Sequence, residues 1–405
     1  MELLLPAGNL EKLRFAFQYG ADAVYCGTPA FSLRYRVNAF TEKKLSEGVE
    51  YAHGLGKKIY VTVNIYPHED RLEKVKKHLK FLKKIKPDAI IFSDQGVFNL
   101  IQKICPEIEA HLSVQATATN SETLKFWQKQ GVTRVILARE LSIKEIKKIH
   151  QAVPKMEIEC FVHGAICMSY SGRCLLSNYL AGRDANQGDC AHPCRWKYRL
   201  KERDFVLEED LRKGDYYPVY ENDHGSHILS ARDLCAIEYI KELRDAGVVS
   251  LKVEGRAKSI YYLSMVTRTY RQALDNLHKG KRYLKKLRES LLELPSRGYT
   301  TGFLLGKPPA EFQQYDSRAS SDNQEFIGVV RKIKKDGLAE IEIRNRFQKG
   351  NTVEFVTPEI EFQQKITQIY DKNGREVEIA HGGQKERVYL KPKKEVPVGT
   401  ILRKK

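Results

Sequence analysis

Eight short apolar runs punctuate the first 256 residues, and they constrain the fold more than any other feature. They are ELLLPAG (2–8), DAVYCG (22–27), KIYVTVN (58–64), AIIFSD (89–94), HLSVQA (111–116), RVILAR (134–139), EIECFVHG (157–164) and VSLKVEGR (249–256). Each is rich in Val, Ile and Leu and lacks regular polar alternation, as strands covered on both faces do. Amphipathic segments such as LEKVKKHLKFLKKI and SETLKFWQKQG lie between them. LSIKEIKKIHQAV places Ser142 three residues before Glu145, the spacing of a capping box. Repeated strand–helix units require a parallel sheet. Eight of them predict a closed (β/α)8 barrel of the TIM type, an α/β fold, with an open doubly wound sheet as the rival.

One unit is longer than the rest. Strand seven ends near 164 and strand eight begins near 249. The interval is read as an insertion over 165–228 followed by SARDLCAIEYIKELRDAG as the expected helix, with Asp233 in its first turn, Cys235 on it and Gly247 after it. Beyond about 320 the pattern changes. EFIGVVRKI, LAEIEIRNR, NTVEFVTP, FQQKITQIY, REVEIA and RVYLKP are short strand runs separated by turn sequences such as KKDG and DKNG. The expected organisation is therefore a barrel domain over 1–310, a linker over 311–322 and a small all-β barrel module over 323–405.

Composition narrows the class. Of 405 residues, 42% are apolar, enough for a sizeable core, and 30% are charged with both signs mixed, which argues against long disorder. Sixty-nine Lys and Arg against 51 Asp and Glu leave a net charge of +18, so polyanions are attracted without further design. MELLLPAGNL lacks the basic lead of a secretory leader, and no window approaches a membrane span. A cytoplasmic protein with reduced thiols is expected.

That expectation bears on CMSYSGRC (167–174) and the two cysteines after it. Cys167, Cys174, Cys190 and Cys194 follow C-x6-C-x15-C-x3-C. Thiolates suit soft metals, and an iron–sulfur cluster, zinc or buried free thiols all remain open on spacing alone. Cys26 and Cys160 lie in strand runs as small core residues, while Cys235 is the possible substitute ligand. Arg173, Arg183 and Arg195 crowd the same stretch, and guanidinium forks capture carboxylates or phosphates.

Barrel enzymes place their chemistry at the C-terminal ends of the strands. Those ends carry Gly27, Asn64, Ser93 with Asp94, Gln115, Arg139 with Glu140, His163, and Glu254 with Arg256. No G-x-S-x-G elbow or H-E-x-x-H helix is present. Glu159 and His163 fall on one face of their strand but about 13 Å apart, too far for a dyad.

The stretches ELLLPAGNLEKLRFAFQYGADAVYCG, HLSVQATATN, EIECFVHGAICMSYSGRCLLSNYLAGRDANQGDCAHPCRWKY and SLKVEGRAKSIYY closely resemble the collagenase-like peptidase family of unknown catalytic type. The resemblance runs over nearly the whole chain. It implies a branch that forms 5-hydroxyuridine at the wobble position of tRNA, with prephenate as hydroxyl source. It also implies a 4Fe-4S cluster on Cys167, Cys174, Cys190 and Cys194. On this reading His163, Glu254 and Gln115 are candidate catalytic residues. Arg173, Arg256, Asn64 and Arg195 are candidate substrate-binding residues. The expected partners are the tRNA anticodon loop and prephenate, with an oligomer or paralogous partner open and no membrane. A peptidase, or an RNA-binding accessory protein with a structural metal, are the alternatives.

Overall fold

The computed structural model describes residues 1–33, 39–167, 177, 181–183, 185, 189–193, 231–306, 324–383 and 387–404, and the backbone of 206–208, 216–218, 221–222 and 225–226. The linker expected at 311–322 and most of the insertion lie outside them.

The eight apolar runs become strands. They are β1 (Glu2–Pro6), β2 (Ala23–Cys26), β3 (Lys58–Val63), β4 (Ala89–Phe92), β5 (Glu109–Leu112), β6 (Arg134–Ile136), β7 (Glu157–Gly164) and, after the insertion, β13 (Val248–Val253). Each pairs in parallel with the next, and β13 pairs with both β7 and β1, which closes the barrel. The helices between them are α1 (Leu10–Gln18), α2 (Glu42–Gly54), α3 (Leu72–Ile85), α4 (Gln95–Ile104), α5 (Ser121–Lys129) and α6 (Ile143–Ala152). Their starts are set by short polar side chains. Asn9, Thr41, Asp94 and Asn120 each accept a backbone N–H of the first turn, and Ser142 with Glu145 forms the expected capping box.

The expected helix after the insertion begins later than its sequence pattern. Two short ladders, β8 (Val206–Glu208) with β9 (Tyr216–Pro218) and β10 (Glu221–Asn222) with β11 (Gly225–Ser226), come first. Asp233–Cys235 then forms a strand, β12, antiparallel to the end of β7, with Cys235 opposite His163. Asp233 is buried and ion-paired to Arg297, so it caps nothing. A free edge at the overlong β7 takes up this segment before α7 (Ile240–Asp245) can start. Gly247 follows in the left-handed region, as expected. Helices α8 (Ile260–Asp275) and α9 (Gly280–Leu292) and strand β14 (Tyr299–Thr300), beside β12, complete the domain.

The C-terminal module is an antiparallel sheet. Its strands are β15 (Glu325–Ile333), β16 (Ala339–Ile343), β18 (Thr352–Val356), β19 (Glu361–Lys365), β21 (Arg387–Leu390) and β22 (Ile401–Lys404), in the order β19-β18-β22-β15-β16-β21. A separate pair joins β17 (Phe347–Gln348) to β20 (Ile379–Ala380). The last strand, β22, was not apparent as a strand run, yet it sits between β15 and β18. The module packs on α1 and α8. Buried Tyr19 donates to Val356 O at 2.9 Å, Arg268 pairs with Glu361 at 2.9 Å, and Tyr261 stacks on Phe326. Val329, Val356 and Ile401 join the barrel's own core. No helix of the described residues is long and apolar enough to cross a membrane.

Candidate active site at the barrel mouth

Side chains alternate along a strand, so β13 and its extension aim every second residue into the lumen. In VSLKVEGR these are Ser250, Lys252, Glu254 and Arg256, a polar column from floor to mouth. At the floor Ser250 donates to Glu2 at 2.7 Å, and Arg134 meets Glu2, Glu157 and Glu159 within 3.3 Å. One level higher Lys252 donates to Glu159 at 2.7 Å. Burial alone would raise the Glu159 carboxyl, but the charges of Lys252 and Arg134 outweigh it and hold the group below its usual value. This part of the lumen is a filled ionic core rather than a channel.

Above it Lys252 Nζ lies 4.3 Å from the centre of the Tyr25 ring, and Arg256 stands 5.7 Å from the same ring. The Tyr25 hydroxyl donates to Val253 O at 2.9 Å and meets Glu254 Oε2 at 3.3 Å. Gly164, at φ +100°, lets β7 pass beneath this residue, since a Cβ there would lie 2.3 Å from Glu254 O.

The rim is a continuous hydrogen-bonded chain. Arg256 Nη1 donates to Ser32 Oγ at 2.6 Å, and Ser32 Oγ lies 2.6 Å from Thr62 Oγ1. Leu33 N donates to Asn64 Oδ1 at 3.1 Å, and Asn64 Nδ2 donates to Gln115 Oε1 at 2.9 Å. Ser93 donates to the same oxygen at 3.3 Å, and Tyr66 donates to Gln115 O at 2.8 Å. The Gln115 oxygen is thus used twice, which fixes the amide, and among the described residues its NH2 group has no acceptor. Asn64, Gln115, Glu254 and Arg256, expected from strand ends, are therefore brought together. Lys252 and Tyr25 were not singled out beforehand; VSLKVEGR, contrary to the reading of all eight runs as lacking alternation, does alternate, and that period points to Lys252.

His163 is placed elsewhere. β13 and β7 slip register between Lys252 and Val253, and the His163 ring packs among Tyr262 and Tyr270 of α8 and Tyr299 of β14. Burial lowers its pKa to about 3, so the ring is neutral at physiological pH. Asp94 is spent on the α4 cap.

Of the four spaced thiols, Cys167 is exposed and Cys190 half-buried at the two ends of the described insertion base. Cys174, Cys194, Arg173 and Arg195 lie outside the described residues. Cys190 Sγ accepts from His192 N at 3.4 Å and stands 3.9 Å from His192 Nδ1, while His192 itself adopts φ +57°. A turn folded round a sulfur with an N–H aimed at it suits a thiolate ligand. The remaining thiols are core residues. Burial pushes Cys26 up to about 12, and Cys105 and Cys235 up to about 11. Cys235 lies on β12 rather than on a helix. Among the described residues no three potential metal ligands cluster.

Two family models cover the chain: residues 8–314 match peptidase family U32, and residues 322–403 match the peptidase family U32 C-terminal domain. The tRNA hydroxylation protein P of Escherichia coli is 43% identical over 94% of this chain and 91% of its own length. A 23S rRNA 5-hydroxycytidine synthase of the same organism is 35% identical over 84% of this chain and 50% of its own length. A collagenase of Porphyromonas gingivalis is 32% identical over 85% and 83%.

Proposed function

This chain belongs to peptidase family U32, and on that premise we propose that it is a tRNA-modifying hydroxylase that forms 5-hydroxyuridine at the wobble position. The observation that carries the reading is the 43% identity, over nearly the full length of both chains, to a relative named for tRNA hydroxylation. A second relative, named for hydroxylating a pyrimidine of ribosomal RNA, supports the reaction class. The net charge of +18 suits an RNA substrate.

The mouth offers chemistry for a pyrimidine swung free of its stack, as anticodon-loop bases can be. Gln115 Nε2 donates to a uracil carbonyl, its amide held by Asn64 and Ser93. Glu254, steadied by the Tyr25 hydroxyl, accepts the proton leaving C5, and the two electrons released when a hydroxyl from prephenate replaces that hydrogen pass to an external electron acceptor. Arg256 binds a carboxylate of prephenate, the proposed hydroxyl source. Cys167, Cys174, Cys190 and Cys194 would hold a 4Fe-4S cluster, which would supply one-electron chemistry when bound. The N–H donated to Cys190 is the structural support for that assignment.

Analysis of tRNA nucleosides from a strain lacking this gene, and from the same strain with it restored, tests the reading. The expected result is loss and recovery of 5-hydroxyuridine and its derivatives. Unchanged levels in a host with no paralogue overturn it.

A second reading rests on the Cys190–His192 contact and on the collagenase relative. A thiol peptidase would need that pair to activate sulfur. Hydrolysis of gelatin by the purified protein, abolished by Cys190→Ala, is its test.

A further inference from the structure

Six lysines of the C-terminal module form one strip. Lys334 and Lys335 lie in the hairpin between β15 and β16, Lys365 ends β19, and Lys391, Lys393 and Lys394 follow β21. All six are exposed. Direct contacts join these segments. Lys391 Nζ donates to Asp336 O in the hairpin, Gln364 Nε2 donates to Lys391 O at 2.8 Å, and Lys393 N donates to Gln364 Oε1 at 2.7 Å. Rings hold the ammonium groups. Lys334 Nζ lies 3.6 Å from the centre of the Tyr389 ring, and Lys393 and Lys394 each stand 5.6 Å from that of Phe362. A ring orients a cation without cancelling its charge.

Nearby acids do not cancel it either. Glu340 pairs with Arg387, Glu342 with Arg331 and Arg344, and Glu361 with Arg268. Asp336 Oδ1 accepts Leu338 N within the hairpin turn. Among the described residues no ion pair of the module includes any of the six lysines. Within the strip six lysines face two carboxylates, Asp336 and Glu395. Scattered lysines serve solubility equally well, whereas gathered ones add a repulsion that a bound polyanion relieves.

The strip is tied to the barrel mouth. At the rim Lys12 Nζ donates to Arg256 O at 2.9 Å, and the neighbouring Glu11 pairs with Arg331 at 2.5 Å. Lys334 follows Arg331 by three residues, about 10 Å of extended strand.

We propose that this strip binds the phosphate backbone of the RNA whose base enters the barrel mouth. The proposal rests on the tRNA-hydroxylase reading for the identity of that RNA. Lysine ammonium groups meet phosphates as point charges without fixed geometry, so the strip supplies affinity and register but not sequence choice. Backbone contacts away from the reacting base offset the stacking lost when that base is drawn out.

Fluorescence anisotropy of a labelled, unmodified tRNA transcript with the purified full-length protein, over a range of salt, tests this. Lys334→Gln, Lys391→Gln, Lys393→Gln and Lys394→Gln combined should weaken binding by about tenfold to a hundredfold at about 0.15 M salt. The slope of log affinity against log salt should become shallower by about three. The same change at Lys74, Lys77, Lys80 and Lys84, exposed on α3, should weaken binding by less than about threefold. An unchanged slope, an equal loss in the α3 variant, or failure of wild type to bind overturns the assignment. So does tight binding of phosphatidylserine vesicles that is lost with the same four changes while tRNA binding stays, which would make the strip a membrane contact. Should the fourfold variant fail to fold, Lys334→Gln with Lys335→Gln, in the exposed hairpin, decides by the same comparison. Binding is read without turnover. The strip can therefore fail while nucleoside analysis supports the hydroxylase, and it can stand where that analysis finds no 5-hydroxyuridine.

Discussion

Lys252 Nζ lies 2.7 Å from Glu159 Oε1, and both side chains are almost wholly removed from solvent. The pair separates an ionic floor of the barrel lumen from the hydrogen-bonded rim above it. It also fixes the cation beneath Tyr25 and, through the Tyr25 hydroxyl, the position of Glu254.

Removing one member of that pair should be costly. Glu159→Gln strands the Lys252 ammonium and one side of Arg134, and about 3–5 kcal/mol of stability should be lost. Replacing both, as Glu159→Gln with Lys252→Met, should be milder than Glu159→Gln alone, because no uncompensated lysine charge remains. Chemical denaturation of wild type, Glu159→Gln, Lys252→Met and the double variant checks this. A double variant as unstable as the sum of its two singles would show the groups to be uncoupled.

His78 sets an acid limit. Its ring is buried in α3, stacked on Phe31 at 4.4 Å, and among the described residues neither ring nitrogen has a hydrogen-bond partner. Burial lowers its pKa to about 4 from an ordinary 6.5. The unfolded chain therefore takes up this proton first as pH falls. Stability present above about 6.5 is lost progressively toward about 4, by about 3 kcal/mol from this group. His163 acts in the same direction. His78→Phe should flatten the stability profile across that window, and a profile parallel to wild type would refute the assignment.

Gly164 should tolerate no side chain. Its φ of +100° disfavours any L residue, and a Cβ would press on the Glu254 carbonyl. Gly164→Ala is expected to lower stability by about 2–3 kcal/mol and to displace Glu254. Thermal unfolding monitored by circular dichroism measures the first effect. A change below about 0.5 kcal/mol would mean that β7 can shift at no cost.

The thiols should separate by metal content. Cys167→Ser and Cys190→Ser should each lower bound iron after anaerobic purification, whereas Cys235→Ala, a change in the protein core, should retain it. Iron lost with Cys235→Ala would instead make that sulfur a ligand.

The sequence by itself determined the barrel. Eight Val-, Ile- and Leu-rich runs with helix caps just beyond them leave few other ways to bury both faces of each strand, and the observed strands fall on those runs. Position at the strand end likewise marks Glu254 and Arg256, whereas the alternation in VSLKVEGR that would mark Lys252 is passed over when the run is read as covered by apolar surface on both faces. Tertiary structure alone decided the rest. A register slip between β13 and β7 turned His163 into the wall, which no local pattern encodes. The exposed edge of β7 drew Asp233–Cys235 out of a helical pattern, and the sheet order placed Ile401–Lys404 at the centre of the C-terminal module. Pairing partners distant in sequence fixed these features, and a one-dimensional pattern reports only which faces are apolar, not which neighbour will cover them.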